Sequence, residues 1–397
     1  MLTYKDALAQ ILDQAVPLAP IQTRLTDALG LVLAEDLTTP FDLPPFDNSS
    51  MDGFAVRAAD LESIPVTLPI VGEIAAGALD IPALLPGTAL RIMTGAPVPD
   101  GADTVVPVED TEAEADGKAA FLEAVQQGQH IRRAGEETKR GSVVVPKDAR
   151  LRPAEIGMAA TVGRAEVFAY PRPRVAIVST GDELVEPGAG LKRGQIYNSN
   201  AYALAAQVQD AGGVVVQQLH ARDTPEALRA AFDSCAGADI LITSGGVSVG
   251  DFDYVKAVFA ERGTVDFWKV AIRPGKPLAF GQWGKTLFFG LPGNPASSMV
   301  TFELFVRPAL RKLAGHSQLT RPETKAVLTE NASHTPGRQS YQRARVSGEP
   351  GRYTVRATGA QGSGMLSPLV QANALLVLPS ETAIFPAGTE VTVLLLV

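Results

Sequence analysis

The chain has 397 residues, 46% hydrophobic and 20% charged, with a formal net charge of −8. Such a chain has room for roughly two to four domains with cores of their own, which excludes disorder as the dominant state. The acidic balance excludes nonspecific binding to nucleic acid or to an anionic membrane, both of which need a cationic field, and a single cysteine, Cys235, excludes an intrachain disulfide.

The opening stretch MLTYKDALAQILDQAV carries charges at Lys5, Asp6 and Asp13 and reads as an amphipathic helix, not a secretion signal. Thr3 is placed to cap it, and Ala7, Leu8, Ile11 and Leu12 recur at helical spacing. A proline-studded segment ending in DLPPFD follows. From about residue 46 to 133 the period changes to short apolar runs, LPIVGEIAAG, ALRIMTGAPV and DTVVPVED, which predict a small inserted β domain. Residues 134–170 include a second helical stretch, RPAEIGMAATVG, and are expected to join residues 1–45 in a mixed N-terminal domain. No apolar run approaches the roughly 18 residues of a membrane span, so the cytoplasm is the expected compartment.

Residues 171–318 carry the clearest rhythm. RVAIVST, GVVVQQL, ADILITS and TLFFGLPGNP read as buried strands, separated by helical stretches near 199–211, 224–235 and 253–262, with a long helix ending near Ala314. Alternating strands and helices predict an α/β domain with a doubly wound parallel sheet, covered on both faces. The stretch VDFWKVAIRPGKPLAFG interrupts the last crossover. Beyond residue 318, KAVLT, SYQRARV, RYTVRA, ALLVLP and EVTVLLLV predict a C-terminal β domain, barrel-like in kind.

Each predicted strand of the α/β domain ends in a polar motif. TGDEL holds Glu183, Arg222-Asp223 follows the second strand, SGGVSVGDFD runs from Ser244 through Gly245, Gly246 and Ser248 to Asp251 and Asp253, and LPGNP spans Pro292, Gly293, Asn294 and Pro295. In an open parallel sheet these ends share one edge, where ligands bind. Taken singly, Asp251 caps a helix, and Asn294 with Pro295 starts one; together, several carboxylates stand beside two loops suited to anions. A hard divalent cation reconciles the two, because Mg²⁺ takes one or two carboxylates together with phosphate oxygens. Lys269, Arg273 and Lys276 are available to neutralise further anionic charge, or equally to lie solvated on a β-ribbon. WGKT at 283–286 is not a P-loop: the first glycine is missing and the motif precedes its strand. Outside this domain, NSSMDGFAV contains the Asp-Gly of a tight turn, and RRAGEETKRG reads as an exposed linker of mixed charge.

The motifs SMDGFA, RIMTGAPVP, RRAGEE, STGDEL, SGGVSVGDFDY, RPGKP and LPGNPASS, in this order over nearly the whole chain, resemble the molybdopterin molybdenumtransferase family, which includes the gephyrin E domain. The resemblance implies a homodimer of four-domain subunits that inserts molybdate into adenylylated molybdopterin and hydrolyses the adenylate with Mg²⁺, releasing AMP and the finished cofactor. It further implies catalytic roles for Asp52, Glu183, Asp223 and Asp251, with Glu183 and Asp251 on the metal. Thr94, Lys269, Lys276, Pro292, Pro295 and Ser363 fall at binding positions, as does an arginine of SYQRAR, Arg343 or Arg345. The loop residues Ser244, Gly245, Gly246, Ser248, Gly293 and Asn294, with Arg273, complete the expected binding set. Asp52 lies in another domain from the sheet edge and is expected to complete the partner subunit's site. Where the family often has Gly-Glu-Asp, this chain has Gly135-Glu136-Glu137, whose extra methylene moves the last carboxylate outward. Expected partners are the pterin nucleotide and molybdate, with transient contacts to molybdopterin adenylyltransferase and apo-molybdoenzymes. Two rival readings are molybdopterin adenylyltransferase, which the α/β domain alone resembles, and a gephyrin-like scaffold.

Overall fold

The computed structural model describes residues 1–114, 116–246, 258 and 263–396. They form two compact units, one of residues 1–34, 148–152 and 166–397, the other of residues 35–147 and 153–165.

The larger unit opens with helix α1 (Tyr4–Gln14), capped by the Thr3 hydroxyl, which accepts the Asp6 N–H at 3.2 Å. In the smaller unit, the strand Gly53–Val56 lies between Thr104–Pro107 and Ala89–Ile92, and Val66–Ile74, Lys118–Phe121 and Thr111–Glu114 continue the sheet. Successive side chains of a strand face opposite ways, so Phe54 and Val56 enter one core with Leu68 and Phe121, while Ala55 enters a second with Leu90 and Val105. Gly53 is required here, because a Cβ would collide with the Val106 carbonyl. A short helix, α2 (Pro153–Thr161), packs on Val143–Val145.

The larger unit is built on one six-stranded sheet. Its strands are β1 (Arg174–Thr180), β2 (Val214–Ala221), β3 (Ile240–Ser244), β4 (Gly263–Lys269), β5 (Pro277–Trp283) and β6 (Thr286–Leu291), in the spatial order β2-β1-β3-β6-β5-β4. The first four pair in parallel, as the apolar runs predict. The stretch read as an interruption instead extends the sheet: β5 is antiparallel to β6, and β4 to β5. Helix α3 (Ser199–Asp210) is capped by Asn198 and helix α4 (Pro225–Ser234) by Thr224, and α5 (Pro295–Thr301) continues through a π-helical turn into α6 (Arg307–Leu313). Val175, Ile177, Ile240, Ile242 and Phe289 face one core with Leu204, Phe305 and Leu310, and α1 adds Ala7 and Ile11 to it. The alternate residues Ala176, Val178, Leu241 and Phe288 face the other core, with Leu228, Phe232 and Val258.

The C-terminal segment is a closed barrel. Strands Gln339–Ser347, Thr354–Ala357, Glu323–Leu328, Glu390–Leu395 and Ala374–Leu378 pair in that order, and the last pairs back to the first. Among the described residues no helix is long and apolar enough to cross a membrane.

His316 follows α6. Burial, with Arg311, Arg150 and Arg307 nearby, lowers its pKa from 6.5 to about 4. The folded value is the lower one, so in that interval the unfolded chain binds a proton that the folded chain refuses, and stability present above pH 6.5 is lost as the pH falls. The slope is at most about 1.4 kcal/mol per pH unit, and less with solvent screening. We expect the urea midpoint to fall between pH 7 and 4.5, and to fall measurably less in His316→Gln; equal losses would remove His316 as the cause.

Candidate functional site

The carboxyl ends of β1, β2, β3 and β6 open into one cavity of ≈ 530 Å³. Its lining includes Thr180, Gly181 and Glu183 after β1, Asp223 after β2, Ser244, Gly245 and Gly246 after β3, and Pro292, Gly293, Asn294 and Pro295 after β6. The sequence motifs therefore converge on one edge, as an open parallel sheet requires. Ser248, Asp251 and Asp253 lie outside the described residues.

The loops are shaped by glycine. Gly245 has φ +93°, a region unfavourable to residues with a Cβ, and an added Cβ would stand 2.7 Å from the Thr180 carbonyl oxygen and 2.8 Å from its hydroxyl. Gly181, at φ +140°, leaves room for the Glu183 carboxylate, whose Oε2 lies 2.6 Å from where a Cβ would be. The His220 ring donates from Nε2 to the Gly181 carbonyl at 2.8 Å. The Gly245 N–H donates to the Leu291 carbonyl at 3.2 Å, which brings the β3 and β6 loops together.

Five consecutive residues that the motifs did not single out also line the cavity: Ile196, Tyr197, Asn198, Ser199 and Asn200. Asn198 caps α3 by accepting the Ala201 N–H at 3.3 Å. The Asn200 amide donates to Ser244 Oγ at 2.9 Å and to the Gly293 carbonyl at 2.7 Å. The only sequence signal was the cap pattern Asn-Ser before a helix.

Asn294 corrects one expectation. It stands at the start of α5 but makes no side-chain capping bond; its amide instead donates to Ser363 Oγ at 3.1 Å, and the Ser363 carbonyl accepts the Ala296 N–H at 3.0 Å. Ser363 thus meets the cavity rim through Asn294, and its neighbour Gly364 lines the cavity. Pro277 is also in the lining, directly after Lys276, whereas Lys269, Arg273 and Lys276 are not. Arg273 borders a second cavity of ≈ 410 Å³ with Arg343 and donates to Thr335 Oγ1 at 3.0 Å. The buried Arg343 guanidinium holds the carbonyls of Ala360 at 3.3 Å and Gly362 at 3.0 Å, just before Ser363, while Arg345, two residues further along the same strand, is exposed.

In the smaller unit, Asp52 and Thr94 meet: the Thr94 N–H and hydroxyl each donate to Asp52 Oδ1 at 2.7 Å. These bonds hold the Asp52 carboxyl below its usual pKa. RRAGEETKRG is not a loose linker. Asp47 accepts the Ala134 N–H at 2.8 Å and pairs with Arg133 at 2.6 Å, and Asp42 accepts the Arg140 N–H at 2.8 Å. Glu136 accepts the Arg133 N–H at 2.8 Å, and the Glu137 backbone bonds to Leu43.

The cavity combines carboxylates, side-chain amides and loops rich in glycine. Among the described residues no three His, Cys, Asp or Glu side chains gather as a metal-binding group. Glu183 and Asp223 are the carboxylates of the lining, and one or two carboxylates are what a hard divalent cation needs beside phosphate oxygens.

The chain matches three family models: "MoeA N-terminal region (domain I and II)" over residues 2–163, "Probable molybdopterin binding domain" over 176–312, and "MoeA C-terminal region (domain IV)" over 325–396. It is 44% identical over 385 residues to molybdopterin molybdenumtransferase 2 of Mycobacterium tuberculosis, covering 94% of each chain. With the Haemophilus influenzae molybdopterin molybdenumtransferase it shares 40% identity over 399 residues, covering 99% of this chain and 98% of the other. Two crystal structures of a molybdopterin biosynthesis MoeA protein from Pyrococcus horikoshii superpose with TM-scores of 0.84 and 0.79, at 30% and 31% identity, covering 100% of this chain and 99% and 100% of theirs.

Gly245→Ala and Gly188→Ala separate steric from conformational cost, since both glycines have φ near +94° (+93° and +95°) and only Gly245 is crowded. Gly245→Ala should be the less stable of the two by about 1–3 kcal/mol in urea titrations; equal stabilities would mean that the β3 loop yields freely.

Proposed function

The chain belongs to the molybdopterin molybdenumtransferase family, and on that premise we propose that it inserts molybdate into adenylylated molybdopterin, with hydrolysis of the adenylate and release of AMP. The observation that carries this reading is the convergence of Glu183 and Asp223 with the glycine loops at 244–246 and 292–295 on one sheet edge.

The chemistry follows from those groups. A phosphoanhydride is polyanionic, and the loop N–H groups meet its oxygens without a Cβ in the way. Glu183 and Asp223 orient a water against the adenylate phosphorus and accept its proton as the bridging P–O bond breaks. Glu183, Asp223 and Asp251 are the residues that would hold Mg²⁺, which when bound offsets phosphate charge. Molybdate is a tetrahedral oxyanion and calls for N–H, hydroxyl or cationic donors, not metal-style ligands. The family resemblance alone assigns Lys269, Arg273, Lys276, Arg343 and Ser363 to the anionic parts of the substrates, and Asp52 with Thr94 to the same reaction; none of these residues is in the cavity lining. A homodimer, a cytoplasmic location, and passing contacts with molybdopterin adenylyltransferase and apo-molybdoenzymes belong to this reading through the family resemblance.

With purified adenylyl-molybdopterin, molybdate and Mg²⁺, the protein should release AMP and yield a cofactor that activates an apo-molybdoenzyme. Chelating the metal should stop both outputs. With molybdopterin and ATP alone it should form no pyrophosphate above background. Adenylation without molybdate-dependent AMP release would replace this reading with the adenylyltransferase one. Glu183→Gln keeps the side-chain shape and removes the carboxylate, so kcat should fall by about 10²–10⁴-fold while thermal melting stays near wild type. Normal turnover in that variant would remove Glu183 from the chemistry.

A further inference from the structure

A cavity assembled from four loops needs something to fix the distances between them, because each loop is anchored to a different strand. The β3 and β6 loops approach closely: a Cβ on Gly293 would sit 3.6 Å from the Gly245 Cα. Only the single bond from Gly245 N–H to the Leu291 carbonyl, 3.2 Å long, joins them through the backbone among the described residues. Asn200 spans the same gap with its side chain. Both amide hydrogens are used, one on Ser244 Oγ at 2.9 Å and one on the Gly293 carbonyl at 2.7 Å. A carbonyl can only accept, so the orientation of the amide is fixed by chemistry.

The backbone that carries Asn200 is itself held. Residues Ile196–Tyr197 pair in parallel with Leu184–Val185, the Ile196 N–H donates to the Glu183 carbonyl at 3.0 Å, and the Asn198 N–H donates to the Val185 carbonyl at 2.9 Å. Asn198 then caps α3, which fixes the direction in which the helix leaves. Three of the four loops are thereby tied to one short segment: the Glu183 loop through its backbone, and the β3 and β6 loops through one side chain.

We propose that Asn200 is a positioning residue that sets the spacing of the two glycine loops relative to each other and to Glu183, so that their N–H groups engage the two phosphates of the pterin nucleotide together. This rests on the reading of the cavity as the adenylyl-molybdopterin site. The role is particular to asparagine. Aspartate has the same shape but no donors and would turn a carboxylate toward the Gly293 carbonyl, and glutamine adds a methylene that pushes the loops apart.

The test uses the full-length protein with Asn200→Ala, Asn200→Asp and Ser244→Ala, and with the double variant Asn200→Ala/Ser244→Ala. Without any ligand, hydrogen exchange at residues 244–246 and 291–296 should speed up at least about 10-fold in Asn200→Ala, since both loops lose a tether. With substrate, kcat/KM should fall by about 10²-fold, the size expected from a displacement of about 1 Å, and the double variant should be no worse than Asn200→Ala alone. Aspartate should be as damaging as alanine. If the alanine variant does not fold, Asn200→Ser, which keeps a small polar group there, gives the same two readouts. Unchanged exchange at both loops in a folded variant, or additive losses in the double variant, would overturn the proposal. The exchange measurement needs no substrate, so it decides the clamp even if the wild-type protein releases no AMP, a result that would strike the functional reading instead.

Discussion

Where parallel strands end side by side, the backbone loses its ladder partners all at once along a single edge. β1, β3 and β6 are buried along almost their whole length, so the residues just beyond them must turn sharply and still satisfy their polar groups. Glycine makes the turns possible at Gly181 and Gly245. The neighbouring loop supplies a partner in the bond from Gly245 to Leu291, and a side chain supplies others in the bonds from Asn200 to Ser244 and Gly293. The same edge is thereby lined by glycine loops and flanked by the Glu183 and Asp223 carboxylates, the combination on which the proposed phosphate chemistry rests. Sheet packing and site chemistry have one origin here.

The sequence was most informative where structure is local. Continuous apolar runs identified β1, β3 and β6, Thr3 identified the start of α1, and a polar motif after each strand placed four loops on one edge. What was missed depends on pairs distant in the chain. Alternation in VDFWKVAIRPGKPLAFG shows β character but not that its strands add to the edge of the parallel sheet. Asn294 has the position of a cap, yet Ser363, 69 residues later, takes its side chain. Asn200 looks like any polar residue near a helix start, and its two acceptors lie 44 and 93 residues away. The mixed charges of RRAGEETKRG suggested solvent exposure, and its charged side chains are exposed, but they gave no sign that Asp42 and Asp47 hold its backbone from 98 and 87 residues upstream.

The acidic composition has a structural use in the smaller unit. Aspartates repeatedly accept backbone N–H groups there: Asp36 from Lys147 at 2.6 Å, Asp42 from Arg140, Asp47 from Ala134, Asp60 from Gly87 at 2.9 Å and Asp103 from Ala58 at 2.7 Å. Short strands joined by many turns leave donors outside any ladder, and a short carboxylate side chain reaches them without long-range packing. Asp52 follows the same habit with Thr94. Its position in SMDGFA marked it by resemblance, and its geometry shows an acceptor already occupied on one oxygen.

The first helix is buried by some of the last-made parts of the α/β core. The Leu12 carbonyl accepts from Lys312 Nζ across 300 residues of chain, and the Leu18 N–H reaches the Leu313 carbonyl. During synthesis at about 5–20 residues per second, α1 therefore waits on the order of 15–60 s for the surface that covers Ala7 and Ile11. Residues 35–165 emerge in that interval and include the whole smaller unit, whose strands pair among themselves. A nascent chain would thus carry a folded inner module with an unpartnered amphipathic helix ahead of it.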